Sequence, residues 1–355
     1  MWFAVVTGTR TSTITAFLAI PAIILLFALP AFASRALLQE LFYVFTMLAL
    51  AQLWNLLAGC AGLVSVGQQA FVGVGAYALF AFMVIEGFDA VPSIVLAGTV
   101  AGIVAVPAAL IVFRLRGAYF AIGTWVVAEV CRLILAQVKL LGGGTGTSLP
   151  PEVAASMLGL DQVRELFAVR GPAARDILTY WLALLLAIGT FILVYRLLRS
   201  RYGLALSAIG DAEAAAESVG VDVFRTKLLI YVLTAIATGM AGALIFLQKA
   251  RISPDAAFSL IDWTAYVIFI VVIGGIGSME GPIIGVLIFY LLQYYLAALG
   301  SWYLIILGGL AILLMLFAPS GVWGVIARTF DVSLFPVRRR LIPRGEIVKE
   351  KERKS

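Results

Sequence analysis

ILTYWLALLLAIGTFILVYRL (Ile177–Leu197) and LLIYVLTAIATGMAGALIFL (Leu228–Leu247) bracket a polar, alanine-rich stretch, SAIGDAEAAAESVG (Ser207–Gly220). Each apolar run has the roughly 20 residues that a helix needs to cross a hydrocarbon core about 30 Å thick. Runs of this kind recur along the 355 residues, of which 63% are hydrophobic, with a mean hydropathy of +1.08. So little polar surface does not cover a water-soluble fold. The chain therefore reads as an all-α, polytopic transmembrane helical bundle of about ten spans. They fall near Ile14–Ala33, Leu41–Leu57, Ala70–Ile85, Pro92–Phe113, Tyr119–Val138, Ile177–Leu197, Leu228–Leu247, Thr264–Gly277, Pro282–Leu299 and Trp302–Phe317. Glycines interrupt the runs around Gly59–Gly75 and Gly274–Gly285.

The placement of basic residues sets the orientation. With both termini cytoplasmic, inner loops hold Arg10, Arg114, Arg116, Arg196, Arg199, Arg201, Arg225, Lys227 and the basic run from Arg328 onward. Outer loops hold the smaller set Arg35, Lys139, Arg164, Arg170, Arg175, Lys249 and Arg251, together with the acidic turn Glu86–Asp89. On this reading residues 1–335 form the transmembrane domain. A cytoplasmic loop covers 199–227, a long periplasmic loop covers 139–176, and a charged cytoplasmic tail covers 336–355, suited to anionic lipid headgroups. Arg10, an apolar run and Ala31-Phe32-Ala33 imitate a signal peptide, but the run is long for one and is read as an uncleaved first span.

The net charge of +6 does not indicate a nucleic-acid partner, because the cations sit in loops and tail as topology signals. With no histidine, haem, most zinc or di-iron sites and a His relay drop out. Cys60 and Cys131 lie in or beside apolar runs and read as small packing residues rather than as a disulfide or metal site. GGGTGTSLPP in the periplasmic loop lacks the Lys that a phosphate-binding P-loop places before Ser/Thr, and it lies on the wrong side for ATP. The chain is thus expected to bind no nucleotide, metal or other cofactor itself. An intramembrane enzyme would need a catalytic constellation, and the spans hold no convincing Asp pair or Ser–Lys pair.

Within Ser207–Gly220, Asp211 reads as an N-cap, Glu213 as a first-turn anion favoured by the helix dipole, and Gly220 as the C′ stop. Ala212, Ala214, Ala215 and Ala216 are strong helix formers, so about two turns with a smooth alanine face are expected, followed by Asp222 capping the next span. Physics alone leaves two readings open, an interfacial helix without a partner or a docking helix. The stretch Ala214-Ala215-Ala216-Glu217-Ser218-Val219-Gly220 resembles the EAA loop of bacterial ABC-importer permeases, with alanine in place of the leading Glu.

The resemblance extends from Asn55 to Gly285. AGLVSVGQQAFVGVGAY (Ala61–Tyr77), FRLRGAYFAIGTWVVAEVCRL (Phe113–Leu133), GGGTGTSLP (Gly142–Pro150), ISPDAAFS (Ile252–Ser259) and VIGGIGSMEGPIIG (Val272–Gly285) are similar, in order, to LivM-type permeases of branched-chain amino acid importers. This implies a bacterial inner-membrane transport subunit that works with a second permease, two ATP-binding subunits that carry ATP-Mg, and a periplasmic solute-binding protein. It also implies that Asp211, Ala214, Ala215, Ala216, Glu217 and Gly220 form the ATPase-coupling loop. Branched-chain or related amino acids are the implied cargo. The alternative is a stand-alone ion-coupled carrier, for which an internal repeat and several membrane carboxylates are expected; the chain offers a faint echo between Gly62–Gly75 and Gly274–Gly285.

Gly277, Gly281 and Gly285, like Gly98 and Gly102, are spaced to let helix backbones approach, either within the chain or against a second permease. Glu129 and Arg132 are three apart and can pair on one helix face, as a structural ion pair or as a polar wall of the path. The candidate path face carries Thr124 and Glu129, with Asn55, Gln68 and Gln69.

Overall fold

With no water in a bilayer core to satisfy peptide groups, the apolar runs close their hydrogen bonds within themselves as helices. The computed structural model describes residues 3–6, 10–155, 157–330, 332, 334, 335, 337 and 340–343. A short strand, β1 (Phe3–Val6), precedes α1 (Arg10–Ala28) and α2 (Arg35–Asn55), which Ser34 caps. A π-type turn at Leu56–Cys60 lengthens α2, and another at Ala81–Ile85 lengthens α3 (Gln68–Phe80). Next come α4 (Ala90–Val112), capped by Asp89, and α5 (Ala118–Leu135). The long loop contains β2 (Thr147–Ser148), α6 (Pro151–Ala155) and α7 (Leu160–Phe167).

The second half begins with α8 (Gly171–Arg199), α9 (Arg201–Asp211), α10 (Glu213–Ser218) and α11 (Val223–Lys249). After β3 (Arg251–Ile252), α12 (Pro254–Ala257) leads through a π-type turn into α13 (Tyr266–Gly274). The chain closes with α14 (Gly281–Leu296), α15 (Ser301–Phe317), α16 (Gly321–Phe330) and β4 (Arg340–Pro343). β1 pairs antiparallel with β4, Phe3 opposite Pro343, and β2 pairs with β3, Thr147 opposite Ile252. Of the expected tail 336–355, only Val337 and β4 fall among the described residues.

Eight stretches of the described residues are long and apolar enough to cross a membrane, and Phe17–Ala31 and Gly281–Leu296 are shorter apolar helices. This is a multi-pass membrane protein. The expected span Thr264–Gly277 is displaced toward the N-terminus: it starts with the half-helix at Pro254 and stops at Gly274, because Gly275 takes a φ of +127° that a helix does not accommodate.

Helix α11 forms the axis, packed against α3, α4, α8 and α2. Lipid tails are as apolar as leucine, so close packing rather than water exclusion holds such helices together. Glycines supply it: a Cβ on Gly75 would run into the Gly239 backbone, and one on Gly242 into the backbone of Val72. Gly98 and Gly102 of α4 receive Met240 and Ile236 of α11 in the same way. By contrast α5 and α15 are buried along one side only and turn large apolar side chains outward.

Candidate functional site

The polar loop folds as a helical hairpin rather than a single short helix. Ser200 Oγ accepts from the Tyr202 N–H at 3.1 Å and starts α9, whose Leu206 and Ile209 are buried. That buried face carries the helix through Asp211, so Asp211 is the last residue of α9 and not the N-cap expected of it. Ala212, in extended conformation, occupies the cap position of α10 without a side-chain bond. Glu213 stands in the first turn, where the helix dipole favours it, and reaches Lys227 Nζ of α11 at 3.0 Å.

Ala216 is the one buried residue of α10, set in a small cluster with Ile209 and Val223. Ala214, Ala215 and Glu217 face outward. Gly220, at φ +89°, ends the helix, with the Val221 N–H donating to the Ala216 carbonyl at 3.0 Å; this left-handed stop is what the glycine permits. Asp222 Oδ1 then accepts from the Arg225 N–H at 2.9 Å and caps α11. The result is an exposed alanine face held on a buried anchor at one end of two membrane helices.

Two breaks interrupt the membrane helices, one between Cys60 and Gln68 and one between Gly274 and Gly281, and the polar candidates cluster on them. Asn55 bridges them: its Oδ1 accepts from the Gly277 N–H at 2.7 Å and its Nδ2 donates to the Ser278 carbonyl at 2.8 Å. Trp54 Nε1 donates to the Ser65 carbonyl at 2.8 Å, and Thr124 Oγ1 accepts from the Val66 N–H at 3.0 Å. Gln68 Nε2 donates to Thr238 Oγ1 at 2.9 Å, and Gln69 Oε1 accepts from the Thr264 hydroxyl. Asn55, Gln68, Gln69 and Thr124 are all buried within the chain. Asn55 and Thr124 satisfy peptide groups that the breaks release, whereas Gln68 and Gln69 tie the start of α3 to hydroxyls of α11 and of the turn before α13.

Glu129 differs from those four. Its side chain is 46% exposed and grips Arg132, with Nη2 at 2.6 Å from Oε1 and Nε at 2.9 Å from Oε2. Arg132 Nη1 also donates to Asp255 Oδ1 of α12 at 2.9 Å.

The glycine ridge is not one helical face. Gly277 lies in the second break at φ +77° and faces Gly59, whereas Gly281 and Gly285 belong to α14 and meet the backbone of Gly275 and Ile270. Pro282 sits in the first turn of α14, where a missing N–H costs nothing. The break is closed by Ser278, whose Oγ accepts from the Gly281 N–H at 3.1 Å.

Several polar residues in these networks had no motif to mark them. Thr238 and Thr264 stand out only as hydroxyls in apolar runs. Asp176, buried at the start of α8, accepts from Arg35 Nε, from Gln39 Nε2 at 3.1 Å and from Gln248 Nε2 at 2.8 Å, tying α2, α8 and α11 together. Glu280 Oε1 accepts from the backbone N–H groups of Leu334 and Phe335 at 3.1 and 2.9 Å.

Comparison with known proteins reaches most of this architecture. The profile of the family described as "Branched-chain amino acid transport system / permease component" matches residues 36–316. The high-affinity branched-chain amino acid transport system permease protein LivM of Salmonella typhimurium is 31% identical over 278 residues, which is 75% of this chain and 65% of that protein. The LivM protein of Escherichia coli is 29% identical over 331 residues, 83% of this chain and 77% of that protein. A probable LivH permease of Methanocaldococcus jannaschii is 27% identical over 188 residues, 49% of this chain and 58% of that protein. The alignment with the Salmonella relative thus spans just under two thirds of that relative's length. No solved structure matches the chain.

Proposed function

The chain belongs to the branched-chain amino acid transport permease family, and on that premise we propose that it is the membrane-spanning subunit of an ATP-binding-cassette importer for branched-chain or related amino acids. It sits in a bacterial inner membrane with both termini cytoplasmic and pairs with a second permease. Two ATP-binding subunits carrying ATP-Mg dock from the cytoplasm, and a periplasmic binding protein delivers the amino acid. This chain binds no nucleotide and performs no hydrolysis.

The observation that carries the proposal is the α9–α10 hairpin. Ala214, Ala215 and Glu217 are exposed, Ala216 anchors the helix, and Gly220 and Asp222 tie its end to α11. A smooth helix so held can enter a cleft on an ATPase and pass its displacement to α8 and α11. ATP binds elsewhere, so it drives transport only by binding one state of the assembly more tightly than the other. Family membership weighs against the stand-alone ion-coupled carrier. The path reading narrows to Glu129, the open one of the five candidates, while Asn55, Gln68, Gln69 and Thr124 hold the breaks in shape.

Purification of the tagged chain in gentle detergent from its own host, with mass spectrometry of what accompanies it, tests the proposal. Two ATP-binding subunits and a second permease are expected. Recovery of the chain alone, under conditions that keep a known importer intact, overturns it.

A further inference from the structure

The Glu129–Arg132–Asp255 cluster is out of place for a lipid-facing surface. Glu129 and Arg132 lie within the apolar span Ala118–Leu135, yet their side chains are 46% and 27% exposed, and Asp255 is 86% exposed. At the helical rise of 1.5 Å per residue, Glu129 stands about 9 Å inside the outer end of that span. Charged groups at such depth face protein or water rather than acyl chains. Asp255 belongs to α12, a half-helix in the segment between α11 and α13, so the cluster spans two segments that meet at the outer end of the bundle. One turn deeper on the same face of α5, Trp125 is 48% exposed.

The hydrogen-bond inventory shows what the cluster can still do. A guanidinium has five N–H donors. Those on Nε, one on Nη1 and one on Nη2 are taken by Glu129 and Asp255, which leaves two with no acceptor among the described residues. Asp255 uses Oδ1 and keeps Oδ2 open. Glu129 therefore holds the guanidinium in a fixed plane, while an anion acceptor site and a cation acceptor site lie side by side. A guanidinium between two carboxylates carries a formal charge of −1, which favours a ligand with an ammonium group and disfavours a dicarboxylate, while the two open guanidinium donors can take one carboxylate.

We infer that Arg132, Glu129 and Asp255 form the outer mouth of the translocation path and receive the head group of a zwitterionic, net-neutral amino acid. Its carboxylate meets Arg132, its ammonium meets Asp255, and its apolar side chain is directed toward Trp125. Arg132 and Asp255 act as contact residues and Glu129 as the positioning residue. This rests on the importer reading and deepens it.

The test uses the complete transporter in intact cells, with Cys60 and Cys131 replaced by alanine. Trp125→Cys and Asp255→Cys are probed from outside with a membrane-impermeant methanethiosulfonate reagent. Labelling at both positions is expected. No labelling at either position, in a complex that still co-purifies with its partners, means that lipid or the second permease covers this face, and the inference falls while the importer reading stands. A second arm measures uptake by Asp255→Asn and Glu129→Gln. A maximal rate at least tenfold lower is expected, with the half-saturating concentration unchanged because the binding protein sets it, and with normal co-purification of partners. Wild-type uptake by Asp255→Asn, or an equal loss for substrates with and without an ammonium group, overturns the head-group assignment.

Discussion

Asn55 gives the sharpest test of how the two membrane breaks are held. Its carboxamide makes two bonds to backbone groups of the second break, 2.7 Å from the Gly277 N–H and 2.8 Å to the Ser278 carbonyl. Asn55→Leu keeps the branched heavy-atom shape, in a slightly larger side chain, and removes both. At a net value of about 1 kcal/mol per bond, the loss is about 2 kcal/mol, or roughly a 30-fold shift in the equilibrium for opening the break. Asn55→Asp keeps an acceptor for Gly277 but turns an oxygen toward the Ser278 carbonyl and buries a carboxylate at a position only 3% exposed. It is therefore expected to cost more than leucine, despite retaining one bond. Reversible unfolding in mixed micelles gives the global cost, and hydrogen exchange of the peptide spanning 275–280 reports local opening. Unfolding of Asn55→Leu within 0.5 kcal/mol of the parent, with unchanged exchange over 275–280, would refute the claim that this side chain joins the breaks.

Four further outcomes follow from the packing and the hairpin. Gly220→Asp puts a side chain at φ +89° with open space around it, so its cost is backbone strain of about 1–2 kcal/mol and no clash; uptake is expected to be lost with insertion retained, Gly220→Ala controlling for strain, and normal ATP-driven uptake in the aspartate variant removes the coupling role. Gly75→Val drives a side chain into the Gly239 backbone, so unfolding should be easier by more than 2 kcal/mol and α3 should part from α11, readable as loss of a crosslink between the two. Asp176→Ala removes the acceptor of the Gln39 and Gln248 Nε2 groups at the junction of α2, α8 and α11, while Gln248 keeps its bond from Thr179, and should destabilise by about 1–2 kcal/mol, an estimate that discounts Arg35 and Gln39 because water reaches both; Asp176→Asn should recover part of that in the same micellar unfolding assay. Gln68→Leu deletes the bond to Thr238, and because Gln68 is buried between helices and not on the path, a well-assembled variant is expected to take up substrate normally; lost uptake with assembly intact would return Gln68 to the path.

What could be read without coordinates was whatever a single helix or its immediate flanks encode. Hydropathy and length specify the spans, because a peptide group in lipid has no alternative to an intrahelical bond. Gly220 as a stop and Asp222 as a cap are legible for the same reason, since each acts on N–H and carbonyl groups within a few residues of itself. Asp211 was misplaced because burial of Leu206 and Ile209, a tertiary effect, extends α9 past the point where capping preference alone would start a new helix. The Gly277–Gly281–Gly285 spacing suggested one ridge, but spacing implies a face only if the helix is continuous, and Gly275 breaks it. The Glu129–Arg132 pair, three residues apart on one helix, was legible; polar pairing between distant segments was not. Asn55 meets Ser278 at a separation of 223 residues, and Arg35 meets Asp176 at 141. In a medium where apolar side chains gain little from meeting one another, such contacts depend on which backbones come close enough to pair, and that distance exists only once the helices have packed.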